Sequence, residues 1–352
     1  MRSTPPPKVT HMHMAPLDRL RTATRLGGVD RLSKVTAHLQ RILQDSAVRA
    51  SLVQVRNLVA RDRAHPSPSS ASETADPGEF LAATFSNEAG SRPYKLYVPS
   101  GYTGRPVPLV VMLHGCTQSP DDFAAGTRMN AVAEEHTCLV AYPAQIAAAN
   151  SSRCWNWYNT SDQSRDRGEP SLIAGITRDV MEHYAVDPRR IYVAGLSAGG
   201  AAAAIMGARY PDLYAAIGVH SGLACGAATD LPSAFTAMRQ GHAGQGRRPM
   251  PAIVFHGDRD STVSPANAHA VIAQSAPEAT LDVRIEEGRV PGGHAYTRTI
   301  YGGTDGPALE QWAIHGAGHA WMGGSPAGSF TDPHGPDASR EMLRFFLEHP
   351  KR

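Results

Sequence analysis

The chain has 352 residues, long enough for one large domain with an appendage or for two small domains. Its 41% apolar content can fill a sizeable core, while 19% charged residues and a formal net charge of +2 leave no Lys/Arg block or basic helix face that would argue for nucleic acid. No run approaches the ~20 apolar residues of a membrane-spanning helix, so no membrane span is expected. Met1 to Met14 is Pro- and His-rich and lacks the apolar stretch of a cleavable secretion signal. The 16 histidines are scattered without repeated ligand spacing, so no metal or cofactor is expected. Four cysteines are too few for a disulfide scaffold, though enough for one or two bridges in an oxidising compartment.

Three zones follow one another. Residues 1–60 read as a helical segment, with Leu32, Val35, Leu39, Ile42 and Leu43 at helical spacing. Residues 61–78, rich in Pro, Ser and Ala, contain no large apolar side chain and read as a flexible linker. Residues 79–352 alternate strand and helix signals and form the expected catalytic domain.

In that zone Tyr94–Val98 alternates as a half-exposed strand does, and Pro108–His114 is a continuous apolar run, as in a strand covered on both faces. Asp121–Glu135 is helix-like and begins at an Asp pair suited to capping it. Thr137–Pro143, Arg190–Gly195, Ala215–His220 and Ala252–His256 are further strands, Leu309–His315 is the last, and Ser339–Glu348 is an amphipathic helix. Alternating strands and helices imply a mainly parallel central sheet with helices on both faces, an α/β class.

Gly195-Leu196-Ser197-Ala198-Gly199 fits G-x-S-x-G, directly after an apolar strand and before a small-residue helix from Gly200 to Tyr210. This is the strand–turn–helix context in which the motif carries a nucleophilic serine. The turn leaves no room for side chains at the flanking glycines, and the helix N-terminus offers free N–H donors beside a developing negative charge. His114-Gly115-Cys116 follows the buried strand, where such a turn supplies a second donor. The amides of Cys116 and Ala198 are therefore the expected oxyanion hole. His256-Gly257-Asp258-Arg259-Asp260 follows another strand; Asp260 fits the spacing of the triad acid, with Asp258 as the alternative. His319 follows the last strand after three small residues and is the expected base. Its competitors are His315, placed within the apolar strand and read as structural, and His294, in a Gly-rich loop without strand context. The order Ser, Asp, His is that of the α/β-hydrolase fold. With every triad position filled, a catalytically silent binding module is the weaker reading.

His114-Gly115-Cys116-Thr117-Gln118, Phe123–Asn130, Cys154-Trp155-Asn156-Trp157-Tyr158, Gly168-Glu169-Pro170 and the serine elbow together resemble the polyhydroxyalkanoate (poly-3-hydroxybutyrate) depolymerase family of esterases over about residues 80–348. The resemblance implies an α/β-hydrolase that cleaves short-chain hydroxyalkanoate polyesters, their oligomers or a small ester. A feruloyl, acetylxylan or general short-chain carboxylesterase is the alternative. It also implies a bridge between Cys116 and Cys154 and, for many members, export, although a cytoplasmic location stays open in the absence of a visible signal. Trp155, Trp157 and Tyr158 are expected to line the substrate groove, with one of the two tryptophans in the core. Cys138 reads as a core residue and Cys225 as a free thiol near the site. The helical segment 1–60 is the candidate for a homo-oligomer contact.

Overall fold

The computed structural model describes residues 10–11, 77–276, 282–302 and 308–351. Apart from Thr10–His11, which form a short strand and not helix, the expected helical segment 1–60 lies outside these residues, as does all but the end of the expected linker. Strands β1 (Thr10–His11), β2 (Glu79–Asn87), β3 (Gly90–Val98), β4 (Val107–Leu113), β5 (Leu139–Pro143), β6 (Val186–Leu196), β7 (Ala216–His220), β8 (Ala252–Gly257), β9 (Asp282–Arg289), β10 (Ala295–Gly302) and β11 (Leu309–Ile314) form one sheet. Its order is β1-β9-β10-β11-β8-β7-β6-β4-β5-β3-β2.

The six central strands, from β11 to β5, are mutually parallel, and antiparallel strands flank them on both sides. The buried runs expected of a doubly covered sheet are present: every residue of β4, β5, β7 and β8 is buried. Side-chain alternation splits β4 between two cores. Leu109, Val111 and Leu113 pack in one cluster with α3 (Gly168–His183), α4 (Ala198–Arg209), α5 (Leu231–Gln240) and α6 (Ala266–Ser275). Val110 and Met112 pack in the other with α1 (Pro120–Thr127), α2 (Met129–His136) and α7 (Ala338–Glu348).

The single helix expected over Asp121–Glu135 is two. Arg128 adopts φ 56° between them and donates its N–H to Ala124 O at 3.0 Å, a left-handed residue that ends α1 and starts α2 in a new direction. Ser119, rather than the Asp pair, caps α1 through its hydroxyl. Strands β2, β9 and β10 add antiparallel edges that the apolar pattern did not announce. Two short strands, β12 (Trp321–Met322) and β13 (Thr331–Asp332), pair after β11.

Candidate active site

Ser197 stands between the end of β6 and the first residue of α4, at φ 57° and ψ −118°. A non-glycine residue here is strained, and the surroundings hold it. Its amide donates to His220 O at the end of β7 (2.9 Å). The flanking glycines answer to sterics alone: a Cβ on Gly195 would sit 2.4 Å from Gly199 C, and one on Gly199 only 2.0 Å from Leu113 O. The close approach of α4 to β4 thus requires bare backbone.

The turn after β4 lies against this elbow; a Cβ on Gly115 would stand 3.7 Å from Ser197 Cβ. Gly115 N–H donates to Gln118 Oε1 (2.8 Å) and Thr117 N–H to Ser152 O (2.7 Å). Among the described residues, the amides of Cys116, between them, and of Ala198, after the serine, donate to no protein acceptor. Ala198 N–H also lies at the positive end of α4. His114 is buried, which lowers its pKa to about 4 and keeps the ring neutral. Its Nε2 accepts from Gln145 N–H (3.0 Å), so its proton is on Nδ1 and donates to Gly115 O (2.7 Å).

The expected acid and base, Asp260 and His319, follow neighbouring parallel strands, β8 and β11, whose ends pair Gly257 with Ile314. His319 Nδ1–H donates to Asp260 Oδ2 at 2.6 Å. The other carboxylate oxygen accepts the amides of Thr262 (2.9 Å) and Val263 (2.8 Å). Burial pushes the Asp260 carboxyl up, but bonds from His256 and His319 outweigh it and hold the group well below its ordinary range. Asp258 has different work. It accepts Gly316 N–H (2.7 Å) and pairs with His315 Nδ1 (3.0 Å), while Arg259 N–H donates to Ala317 O (3.0 Å). It therefore ties the acid loop to the base loop and does not reach His319 as an orienting acid. His315 lies just past β11 instead of within it, half exposed, between Asp258 and Thr297. His294 bonds His315 O (3.1 Å) and Asp332 (2.8 Å).

Two buried histidines that the sequence reading passed over sit beside the pair. His256 Nε2–H donates to Val263 O (2.8 Å) and lies 3.3 Å from Asp260 Oδ2. The H-G pair before the acid was the signal that could have found it. His220 is fully buried, stacked between Phe255 and Trp321. Burial, with His256 and His319 nearby, holds it far below the usual histidine range, and Nε2 accepts Met322 N–H (3.1 Å).

The aromatic residues divide differently from the expectation. Trp155 is fully buried, and its indole N–H donates to His114 O (3.1 Å), so it braces the turn after β4 and does not line a groove. Trp157 is 6% exposed and packs edge-on against Tyr158. Of the three, Tyr158 alone is partly exposed. Cys116 and Cys154 are bonded, with Cα atoms 4.2 Å apart, and this ties the oxyanion turn to the Trp155 loop. Cys138 and Cys225 are free and both buried, so Cys225 offers no thiol at the surface of the site.

The sequence model of the family described as esterase PHB depolymerase matches residues 92–281, more than half of the chain. Poly(3-hydroxyalkanoate) depolymerase C of Paucimonas lemoignei is 33% identical over 67% of this chain and 60% of its own length, so the chain spans about three fifths of that relative. Feruloyl esterase B of Thermothelomyces thermophilus is 29% identical over 64% of this chain and 82% of its own. Among solved structures, an acetyl xylan esterase from Aspergillus awamori superposes with a TM-score of 0.54 at 22% identity, over 69% of this chain and 94% of that one. An S-formylglutathione hydrolase from Agrobacterium tumefaciens gives 0.52 at 14%, over 79% and 98%. These two likenesses bear on the fold, that of the α/β hydrolases. The strand order, the serine elbow, the acid–base pair on adjacent strands and the family match agree: the chain belongs to the PHB depolymerase family of esterases.

Proposed function

We propose that the chain is a serine esterase that hydrolyses short-chain polyhydroxyalkanoates or their oligomers. The observation that carries this reading is the strained Ser197 at the N-terminus of α4, in a chain whose His319 is already bonded to a buried carboxylate at 2.6 Å.

In this scheme His319 Nε2, the ring nitrogen not engaged by Asp260, takes the Ser197 proton as Oγ attacks the ester carbonyl. The carbonyl electrons move to oxygen, and the Cys116 and Ala198 N–H groups hold that charge, each such donor being worth about 10²–10³ in rate. Collapse expels the alcohol, which receives the proton from His319, and leaves an acyl-serine. Water, deprotonated by the same imidazole, then releases the acid. Asp260 holds the tautomer and stabilises the imidazolium in both steps. Tyr158, with its exposed surface beside the bridged loop, is the assigned substrate contact of the aromatic trio.

A second reading, a feruloyl- or acetylxylan-type esterase, is favoured by one observation. The match to feruloyl esterase B spans 82% of that relative, against 60% for the depolymerase. Turnover of hydroxybutyrate oligomers, aryl cinnamates and acetylated sugars by the parent and by Ser197→Ala separates the two. The expected result is the highest kcat/KM on the oligomers and none above background in the variant. Turnover retained by Ser197→Ala refutes the mechanism, and preference for cinnamates or acetyl sugars refutes the substrate.

A further inference from the structure

We propose that Glu169 is a positioning residue for the oxyanion hole, holding Cys116 from two directions through Gln145, His114 and the loop that bears Cys154. The proposal rests on the esterase reading and deepens it.

Glu169 lies in the first turn of α3 and is 6% exposed. Its carboxylate accepts three bonds from the segment beneath the site. Oε2 takes Asn156 N–H (2.7 Å), while Oε1 takes Asn156 Nδ2 (2.7 Å) and a short bond from Gln145 Nε2. The groups facing it are the Arg92 guanidinium at 3.8 Å, Asp162, whose Oδ1 accepts the Glu169 N–H at 2.9 Å, and the Tyr158 phenol. Burial and Asp162 raise the carboxyl and the Asn156 and Gln145 donors oppose them, leaving it raised to about 7.

Gln145 passes the constraint on. The second hydrogen of its Nε2 goes to Cys154 O (2.9 Å), and its backbone N–H goes to His114 Nε2 (3.0 Å). That bond fixes the His114 tautomer, whose Nδ1–H holds Gly115 O at 2.7 Å. Gly115 C=O and Cys116 N–H belong to one planar peptide and point in opposite directions. Anchoring the carbonyl on His114 therefore aims the Cys116 N–H the other way. The second route runs from Glu169 to Asn156 and Cys154, and across the disulfide to the Cys116 side chain. The position of one amide hydrogen, the one the tetrahedral intermediate needs, thus depends on a carboxylate that does not touch substrate.

The test compares the parent with Glu169→Gln, Gln145→Met and the double variant, all folded by circular dichroism and disulfide-bonded by thiol titration. The readouts are turnover of a p-nitrophenyl short-chain ester and inhibition by a boronic acid, whose tetrahedral adduct on serine places an oxygen in the hole. Each single variant is expected to lose about tenfold or more in kcat, approaching the 10²–10³ of a deleted donor, with KM within about threefold. Boronate affinity should fall by the same factor, and the double variant should be no slower than the slower single, because Gln145 acts downstream of Glu169, on which both routes depend. Parental kcat in the variants, a rise in KM alone, or losses that multiply in the double variant overturn the proposal. Should Glu169→Gln not accumulate folded, Gln145→Met decides by the same criteria, since it keeps side-chain length and the backbone bond to His114. A parent without ester turnover overturns the esterase reading itself. An active parent with unaffected variants overturns only the role of Glu169.

Discussion

Asp260→Asn separates the two acidic candidates and can be worked from the contacts. The Asn Oδ1 inherits the amides of Thr262 and Val263, at 2.9 and 2.8 Å, so the acid loop should keep its shape. Its Nδ2 then faces the nitrogen of His319 that now donates at 2.6 Å. Two donors cannot share that contact, and the ring is forced to the tautomer with its proton on Nε2, where it cannot accept from Ser197. What is lost is the attraction between carboxylate and developing imidazolium. For unit charges about 4 Å apart at an effective dielectric of about 20 this is about 4 kcal/mol, or about three decades in rate at about 1.4 kcal/mol per decade. The expected kcat is therefore about 10³-fold below parental, or lower still from the wrong tautomer, with KM little changed. Asp258→Asn keeps an acceptor for Gly316 N–H and should retain kcat within about tenfold. Steady-state kinetics on a p-nitrophenyl ester decide it. An Asp260→Asn enzyme with more than about a tenth of parental kcat, or an Asp258→Asn enzyme equally impaired, refutes the assignment.

Four further outcomes are expected. The folded-state pKa of Asp260 is depressed below its ordinary 3.8, so this group contributes stability above that value and loses it as pH falls through the folded value. The gap in melting temperature between parent and Asp260→Asn should shrink from about pH 7 to about pH 3, and a widening gap would contradict the bonding described. Gly199→Ala forces a Cβ to 2.0 Å from Leu113 O and 2.5 Å from His114 O, both rigid backbone, and should cost at least about 3 kcal/mol in urea unfolding. Gly318→Ala, with nothing within 4 Å of its Cβ, should change stability by no more than about 0.5 kcal/mol. Replacing both Cys116 and Cys154 by Ala removes a crosslink spanning 38 residues, which loop-closure entropy values at up to about 4 kcal/mol; a shift in urea midpoint measures it, and an unchanged midpoint refutes it.

The serine elbow was legible in the sequence because sterics dictate it. No other residue type fits at Gly195 or Gly199, so the motif records the packing of α4 on β4. The Asp260–His319 contact was legible through the spacing of the aspartate after a buried strand, and the disulfide only through family resemblance. Burial of aromatic side chains was not legible: Cys-Trp-Asn-Trp-Tyr has the composition of a groove, yet what decides for Trp155 is a carbonyl 41 residues away, His114 O, that accepts its indole N–H. Strands β9 and β10 were missed because strands on this antiparallel flank are wetted on much of their surface. Asp-Val-Arg-Ile-Glu-Glu-Gly-Arg lacks the apolar run that marked β4. The break at Arg128 was hidden because a left-handed arginine leaves no mark in composition. His256 and Gln145 escaped notice for the same reason as Trp155, since their roles exist only where distant segments meet.

Asp260 and His319 closely follow adjacent strands, so the distance between them is set by the ladder of β8 against β11 and not by the residues that connect those strands in sequence. Within the intervening stretch, β9 is consequently a place where the scaffold can accept new sequence without disturbing the Asp260–His319 contact, provided Thr262 and Val263 keep their bonds to Asp260. Lengthening such a connection costs little, about 0.6 kcal/mol per doubling. Any replacement must still lay a strand beside β11, whose flank would otherwise recruit neighbours. A graft confined to residues 282–289, with residues 295–302 and the Thr262 and Val263 amides retained, follows as a route to varying this side of the sheet while leaving the Asp260–His319 contact in place.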